Sequence, residues 1–86
     1  MLSERGDLAG AEAAYRAAIA ANPQYANTHF NLGGVLKERG DLAGAEAAYR
    51  AAIAADPRYE LAHVNLGITL RLRGDLAGAE AAYRAA

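Results

Sequence analysis

Apolar positions along this chain recur at helical spacing, and no segment shows the period-two alternation of a half-buried strand. Within residues 25–39, His29, Leu32, Gly33 and Leu36 fall at i, i+3, i+4 and i+7. His63, Leu66, Gly67 and Leu70 repeat that spacing within residues 59–73. Each set predicts one packing stripe on a helix, and its glycine lets a neighbour come close. A second kind of helix is predicted over residues 8–21, 42–55 and 76–86, striped in its first copy by Leu8, Ala11, Tyr15, Ala18 and Ile19. With the first kind termed front helices and the second back helices, the order is back, front, back, front, back.

Local chemistry marks the boundaries. Gly6-Asp7, Gly40-Asp41 and Gly74-Asp75 precede the back helices; glycine can end one helix in a left-handed conformation, and aspartate can start the next. Asn22-Pro23 and Asp56-Pro57 end them, because a residue before proline disfavours helix. Alanine and the i,i+4 pairs Glu12–Arg16, Glu46–Arg50 and Glu80–Arg84 support the back helices, each pair by about 0.2–0.5 kcal/mol. Gly10, Gly44 and Gly78 run against this trend, since glycine costs on the order of 1 kcal/mol against alanine in a helix. From sequence they read only as close packing or a loose helix start.

The pattern is also a repeat. The segment GDLAGAEAAYRAAIAANP at residues 6–23 returns at residues 40–57 with one change, Asn22 to Asp56, and a third, shorter copy starts at Gly74. Gly6, Gly40 and Gly74 are 34 apart, as are Tyr15, Tyr49 and Tyr83. A fixed period of this size signals stacked supersecondary units.

Composition narrows the function. The 86 residues suit one domain, and much of the 53% hydrophobic content is small alanine, which predicts a thin interior closely approached by backbone. A net charge of −1 without basic runs argues against nucleic acid or an anionic membrane as partner. The absence of cysteine removes thiolate metal sites and disulfides. No apolar stretch approaches the roughly 20 residues that span a bilayer, and the opening MLSERGDLAG is no signal peptide. A cytoplasmic protein is expected.

No catalytic constellation emerges. Ser3 is the lone serine. His29 and His63 sit at equivalent places of successive units, where stacked helices lie roughly 8–10 Å apart and a shared metal would need both nitrogens within about 2.1 Å of it. They are expected to fill the packing stripe. Glu12, Glu46 and Glu80 each have an arginine one turn on and read as a solvated face. No enzyme, cofactor or metal is expected.

These residues resemble the tetratricopeptide repeat, a 34-residue helix-turn-helix unit with a Trp, Leu-Gly, Tyr, then Ala, Phe, Pro pattern. His29-Phe30-Asn31-Leu32-Gly33, then Leu36, Gly40, Ala45, Tyr49, Ala52 and Pro57, match it in spacing, with His29 and His63 standing where Trp is frequent and Leu36 and Leu70 where Tyr is. The resemblance covers essentially the whole chain. It implies an all-α, right-handed superhelical solenoid, read as one domain over residues 1–86: a partial unit at 1–25 that opens on a front-helix remnant at 1–5, a complete unit at 26–59, and a partial unit at 60–86. No polar cap marks either end, so apolar stacking surface is expected there.

The resemblance further implies that front helices line a concave groove. The segments NTHFNLGGVLKERG and LAHVNLGITLRLRG differ at seven of fourteen places while the back helices are nearly copies, so the variation lies where a groove would be. The groove candidates are Asn27, Phe30, Asn31, Gly34 and Lys37 in one unit and Leu61, Val64, Asn65, Ile68 and Arg71 in the next. Asn31 and Asn65 are similar to the asparagine ladder in the repeat region of O-linked N-acetylglucosamine transferase; a side-chain amide can hold an extended peptide backbone as donor and acceptor. Phe30, Val64 and Ile68 would form an apolar floor, and Lys37 and Arg71 a mildly basic strip. The carboxylate clamp of chaperone-binding repeats is expected to be absent, because Leu61 and Asn65 stand where its next cations would be. The expectation is a non-catalytic scaffold binding an extended peptide of a protein ligand. The alternatives are a building block that self-associates end to end through its terminal repeats, or a regulatory segment of a larger enzyme.

Overall fold

The computed structural model describes residues 7–86; the front-helix remnant expected at residues 1–5 lies outside them. Five helices run in chain order: α1 (Leu8–Ala21), α2 (Ala26–Glu38), α3 (Leu42–Ala55), α4 (Glu60–Leu72) and α5 (Leu76–Ala85). Their bounds follow those read from the apolar spacing to within a residue or so. Each packs chiefly on its neighbours in the chain, the arrangement of a linear repeat array.

The boundary chemistry works as its residue types suggest. Gly40 and Gly74 have φ of 86° and 89°, a left-handed conformation that suits glycine. At the end of α2 the Gly40 N–H donates to the Lys37 carbonyl at 3.0 Å and the Asp41 N–H to the Leu36 carbonyl at 2.8 Å. Those two bonds satisfy carbonyls the helix end leaves open. Asp41 and Asp75 then start the next helices, each carboxylate accepting from the backbone N–H three residues on, Gly44 at 2.9 Å and Gly78 at 2.8 Å. A Cβ at Gly44 would press into the Asp41 carboxylate. The helix glycines that sequence left without a role thus make room for the capping side chain. Asp7 makes no such bond.

The core is one cluster of Leu32, Leu36, Ala45, Ala48, Tyr49, Leu66, Leu70, Ala79 and Ala82, with Tyr15, Ile19, Phe30 and Ile53 packed around it. Its largest member, Tyr49, is 1% exposed. A Cβ at Gly33 would lie 2.7 Å from the Tyr49 ring, and one at Gly67 would lie 2.6 Å from the Tyr83 ring. Gly33 and Gly67 are therefore each the seat for an aromatic ring of the following back helix. Burial pushes the Tyr49 phenol above its usual pKa. No described helix is long and apolar enough to cross a membrane.

Candidate peptide-binding groove

The ten candidate residues lie on α2 and α4, the two front helices. Side chains join the two helices at three places. The Tyr59 hydroxyl donates to Asn27 Oδ1 at 2.8 Å. The Phe30 ring lies 5.1 Å from Tyr59 and 5.7 Å from Tyr49, centroid to centroid, within the range of favourable aromatic pairs. Lys37 Nζ donates to Asn65 Oδ1 at 3.3 Å. Asn27, Phe30, Lys37 and Asn65 thus belong to one continuous surface across two units. Asn31, Gly34, Val64 and Ile68 are half-buried along it, while Leu61 and Arg71 are exposed.

The two asparagines differ in availability. Asn65 spends its amide within the chain, Nδ2 donating to the Leu61 carbonyl at 2.9 Å while Oδ1 accepts from Lys37. Its backbone carbonyl also accepts from the Thr69 hydroxyl at 2.9 Å. Equivalence at the 34-residue period therefore does not make the pair a uniform ladder.

Tyr59 was not among the candidates, although it precedes α4 and touches two of them. Burial, and then the Asp56 carboxylate, hold its phenol above the usual pKa, so it stays a donor to Asn27. The available signal was its recurrence: Tyr25 and Tyr59 are 34 apart.

The charged residues divide by face. Among the described residues, Arg16, Arg39, Arg50, Arg73 and Arg84 all pair with glutamates. Glu12 accepts from Arg16 and from Arg39 at the end of α2, and Glu46 accepts from Arg50 and from Arg73 at the end of α4. The glutamates are therefore ties between helices as well as the solvated pairs the sequence suggests. The Arg16 hydrogen bond lowers the Glu12 pKa. At Glu46 burial works upward, and the Arg50 and Arg73 bonds outweigh it. Lys37 and Arg71, on the front helices, have no such acidic partner among the described residues.

His29 and His63 serve the scaffold. Nε2 of His29 lies 2.7 Å from the Pro23 carbonyl and Nε2 of His63 lies 2.9 Å from that of Pro57. A carbonyl only accepts, so the ring nitrogen carries the proton. Each imidazole ties its front helix to the exit turn of the back helix before it, a bond beyond the packing role read from sequence. No group of three or more potential metal ligands occurs among the described residues.

Two equivalent clefts lie away from the candidate surface. One of about 480 Å³ is lined by residues including Ile53, His63, Leu66, Leu70 and Ala82, and one of about 270 Å³ by their counterparts Ile19, His29, Leu32, Leu36 and Ala48. None of the ten candidates lines either.

Comparison with known proteins agrees with this architecture. The tetratricopeptide repeat family matches the chain twice, over residues 2–60 and 35–86. Among solved structures, a crystal structure of MamA superposes with a TM-score of 0.84 at 27% identity, covering 86% of this chain. This chain spans 43% of the MamA chain. No curated protein matches.

Proposed function

Since the chain belongs to the tetratricopeptide repeat family, whose repeats are typically non-catalytic and mediate protein binding, we propose that α2 and α4 hold an extended peptide of a protein partner. The supporting observation is the surface that Tyr59–Asn27, Phe30–Tyr59 and Lys37–Asn65 make continuous across two units. Asn31 offers its amide to the peptide backbone. Phe30, Val64 and Ile68 supply the apolar floor. Lys37 and Arg71, one period apart and without acidic partners, favour a peptide that carries carboxylates. Such a carboxylate is a stronger acceptor for Lys37 than the Asn65 amide. Taking Lys37 would release Asn65 Oδ1 for a peptide N–H, giving the paired asparagines an arrangement similar to the ladder of O-linked N-acetylglucosamine transferase.

The test is selection of short random peptides on the purified chain, followed by mapping of their contacts through amide chemical shifts. Acidic peptides that shift α2 and α4, and that bind roughly tenfold more weakly to Asn31→Ala or Lys37→Ala, are expected. Ligands that map to the clefts between back helices would place recognition on the opposite side and end this reading.

A further inference from the structure

Helices α3, α4 and α5 frame the larger of the two clefts, about 480 Å³, a volume within the range of small-molecule sites. Leu66 and Leu70 of α4 meet there with Ile53 of α3, while Ala54, Gly78 and Ala81 stand on the α3 and α5 walls. Those small residues leave the space open. The cleft belongs to the repeat rather than to one helix end, because in its counterpart between α1 and α3 no α3 residue after Ala51 takes part.

Two polar groups meet this apolar space. His63 is 9% exposed, and its Nε2–H is spent on the Pro57 carbonyl at 2.9 Å. Nδ1 has no hydrogen-bond partner among the described residues and is not sealed from solvent; in the neutral ring it is an acceptor. Arg50 also lines the cleft, with its side chain 56% exposed and its Nε held by Glu46 at 3.0 Å. That in-plane bond fixes the guanidinium and leaves its flat face free to lie on an aromatic ring.

We propose that this cleft binds a neutral fused aromatic small molecule of the indole class, its ring N–H donating to His63 Nδ1 and its ring stacked on Arg50. The aliphatic lining selects an apolar body and Nδ1 selects a single donor. Arg50 favours an aromatic ring over an aliphatic one, and its bond to Glu46 disfavours an anion, which would compete with that carboxylate. The counterpart cleft is the weaker site, being about 270 Å³ with a His29 that is only half-buried. Neither cleft touches the ten front-helix candidates, so this assignment does not rest on peptide binding there.

The chain contains no tryptophan, so indole fluorescence reports its own binding when indole is titrated into the intact chain. Saturable binding is expected, with amide shifts concentrated at Ile53, Ala54 and Ala81. 1-Methylindole, which lacks the N–H, should bind about three- to tenfold more weakly. Arg50→Gln should weaken indole about two- to fivefold. Ala81→Leu fills the cleft from an exposed position and should weaken it about tenfold. Ala47→Leu, its equivalent in the counterpart cleft, should leave binding within about twofold, and helical circular dichroism should show both leucine variants folded. Absence of saturation up to the solubility limit, equal binding of 1-methylindole, equal losses for Ala47→Leu and Ala81→Leu, or shifts confined to Asn27, Phe30 and Lys37 would each overturn the proposal. Tighter binding of N-acetyltryptophanamide than of indole would assign the cleft to a side chain of a protein partner and overturn it as well.

Discussion

The eleven residues LAGAEAAYRAA recur at 8–18, 42–52 and 76–86, in α1, in α3 and through the end of α5, and the three copies stand in different surroundings. In α3 that segment buries Ala45, Ala48, Tyr49 and Ala52. In α5 it buries Ala79 and Ala82, and in α1 none. Propensity and apolar stripe are constant across these shared residues, so the difference in burial comes from the helices packed on either side. In a stack whose units touch only their neighbours, a side chain is worth what its flanks make of it.

The tyrosines give this comparison its largest test. Tyr49→Ala should cost about 3–5 kcal/mol, the range for removing a large core ring, in chemical denaturation followed by helical circular dichroism. Tyr83→Ala, at a residue 40% exposed, should cost about half as much, and Tyr15→Ala, at a ring half-buried against the core, should fall between the two. Equal costs at the three positions would mean that each unit is stabilised internally and that stacking contributes little.

Gly33 and Gly34 sharpen the same point from the partner's side. A Cβ at Gly33 would lie 2.7 Å from the Tyr49 ring, while one at Gly34 would find only the Tyr49 hydroxyl, at 3.9 Å. Gly33→Ala should therefore destabilise by roughly 1–3 kcal/mol through overpacking. Gly34→Ala should be neutral or stabilise by up to about 1 kcal/mol, as expected for alanine replacing glycine within a helix. If both substitutions stabilise, the ring seat is looser than the packing of Tyr49 indicates.

Capping separates α1 from α3 by a smaller amount. Asp41→Ala removes a carboxylate bonded to the Gly44 N–H and should cost roughly 0.5–2 kcal/mol. Asp7 makes no cap bond, so Asp7→Ala should leave the thermal midpoint close to that of the parent chain. A cost at Asp7 matching that at Asp41 would show that helix starts are capped alike in solution.

Much of this architecture is legible in the sequence because its determinants are local. The 34-residue period, glycine before aspartate and the residue before proline act within a turn or two, and they place all five helices. The candidate surface was legible only as a roster. That Tyr59 joins Asn27, and that Lys37 occupies Asn65, depends on how one front helix sits beside the next. The links from Glu12 to Arg39 and from Glu46 to Arg73 were hidden for a related reason: an arginine one turn away already accounted for each glutamate. Their equal separation of 27 residues in both units is the trace they left.

That double pairing yields the smallest and most conditional effect. Glu46 holds Arg50 and Arg73, and its pKa lies below the ordinary 4.5, burial being outweighed by the two arginine bonds. A carboxylate whose folded pKa is depressed favours the folded state once it is ionised in both states. Its contribution is thus complete above pH 4.5 and is lost as pH falls through the lower folded value. The arginines are about half exposed, which limits the contribution to roughly 0.2–1 kcal/mol and makes it sensitive to salt. Glu46→Gln should therefore be less stable than the parent at neutral pH and low salt, with the gap closing on acidification below 4.5 or on addition of molar salt. Glu80→Gln, which removes one exposed pair and no tie between helices, should cost less under every one of these conditions. A Glu80 variant as costly as the Glu46 variant would show that Arg73 adds nothing to what Arg50 already provides, and that the inter-helix ties do not distinguish interior units from the last one.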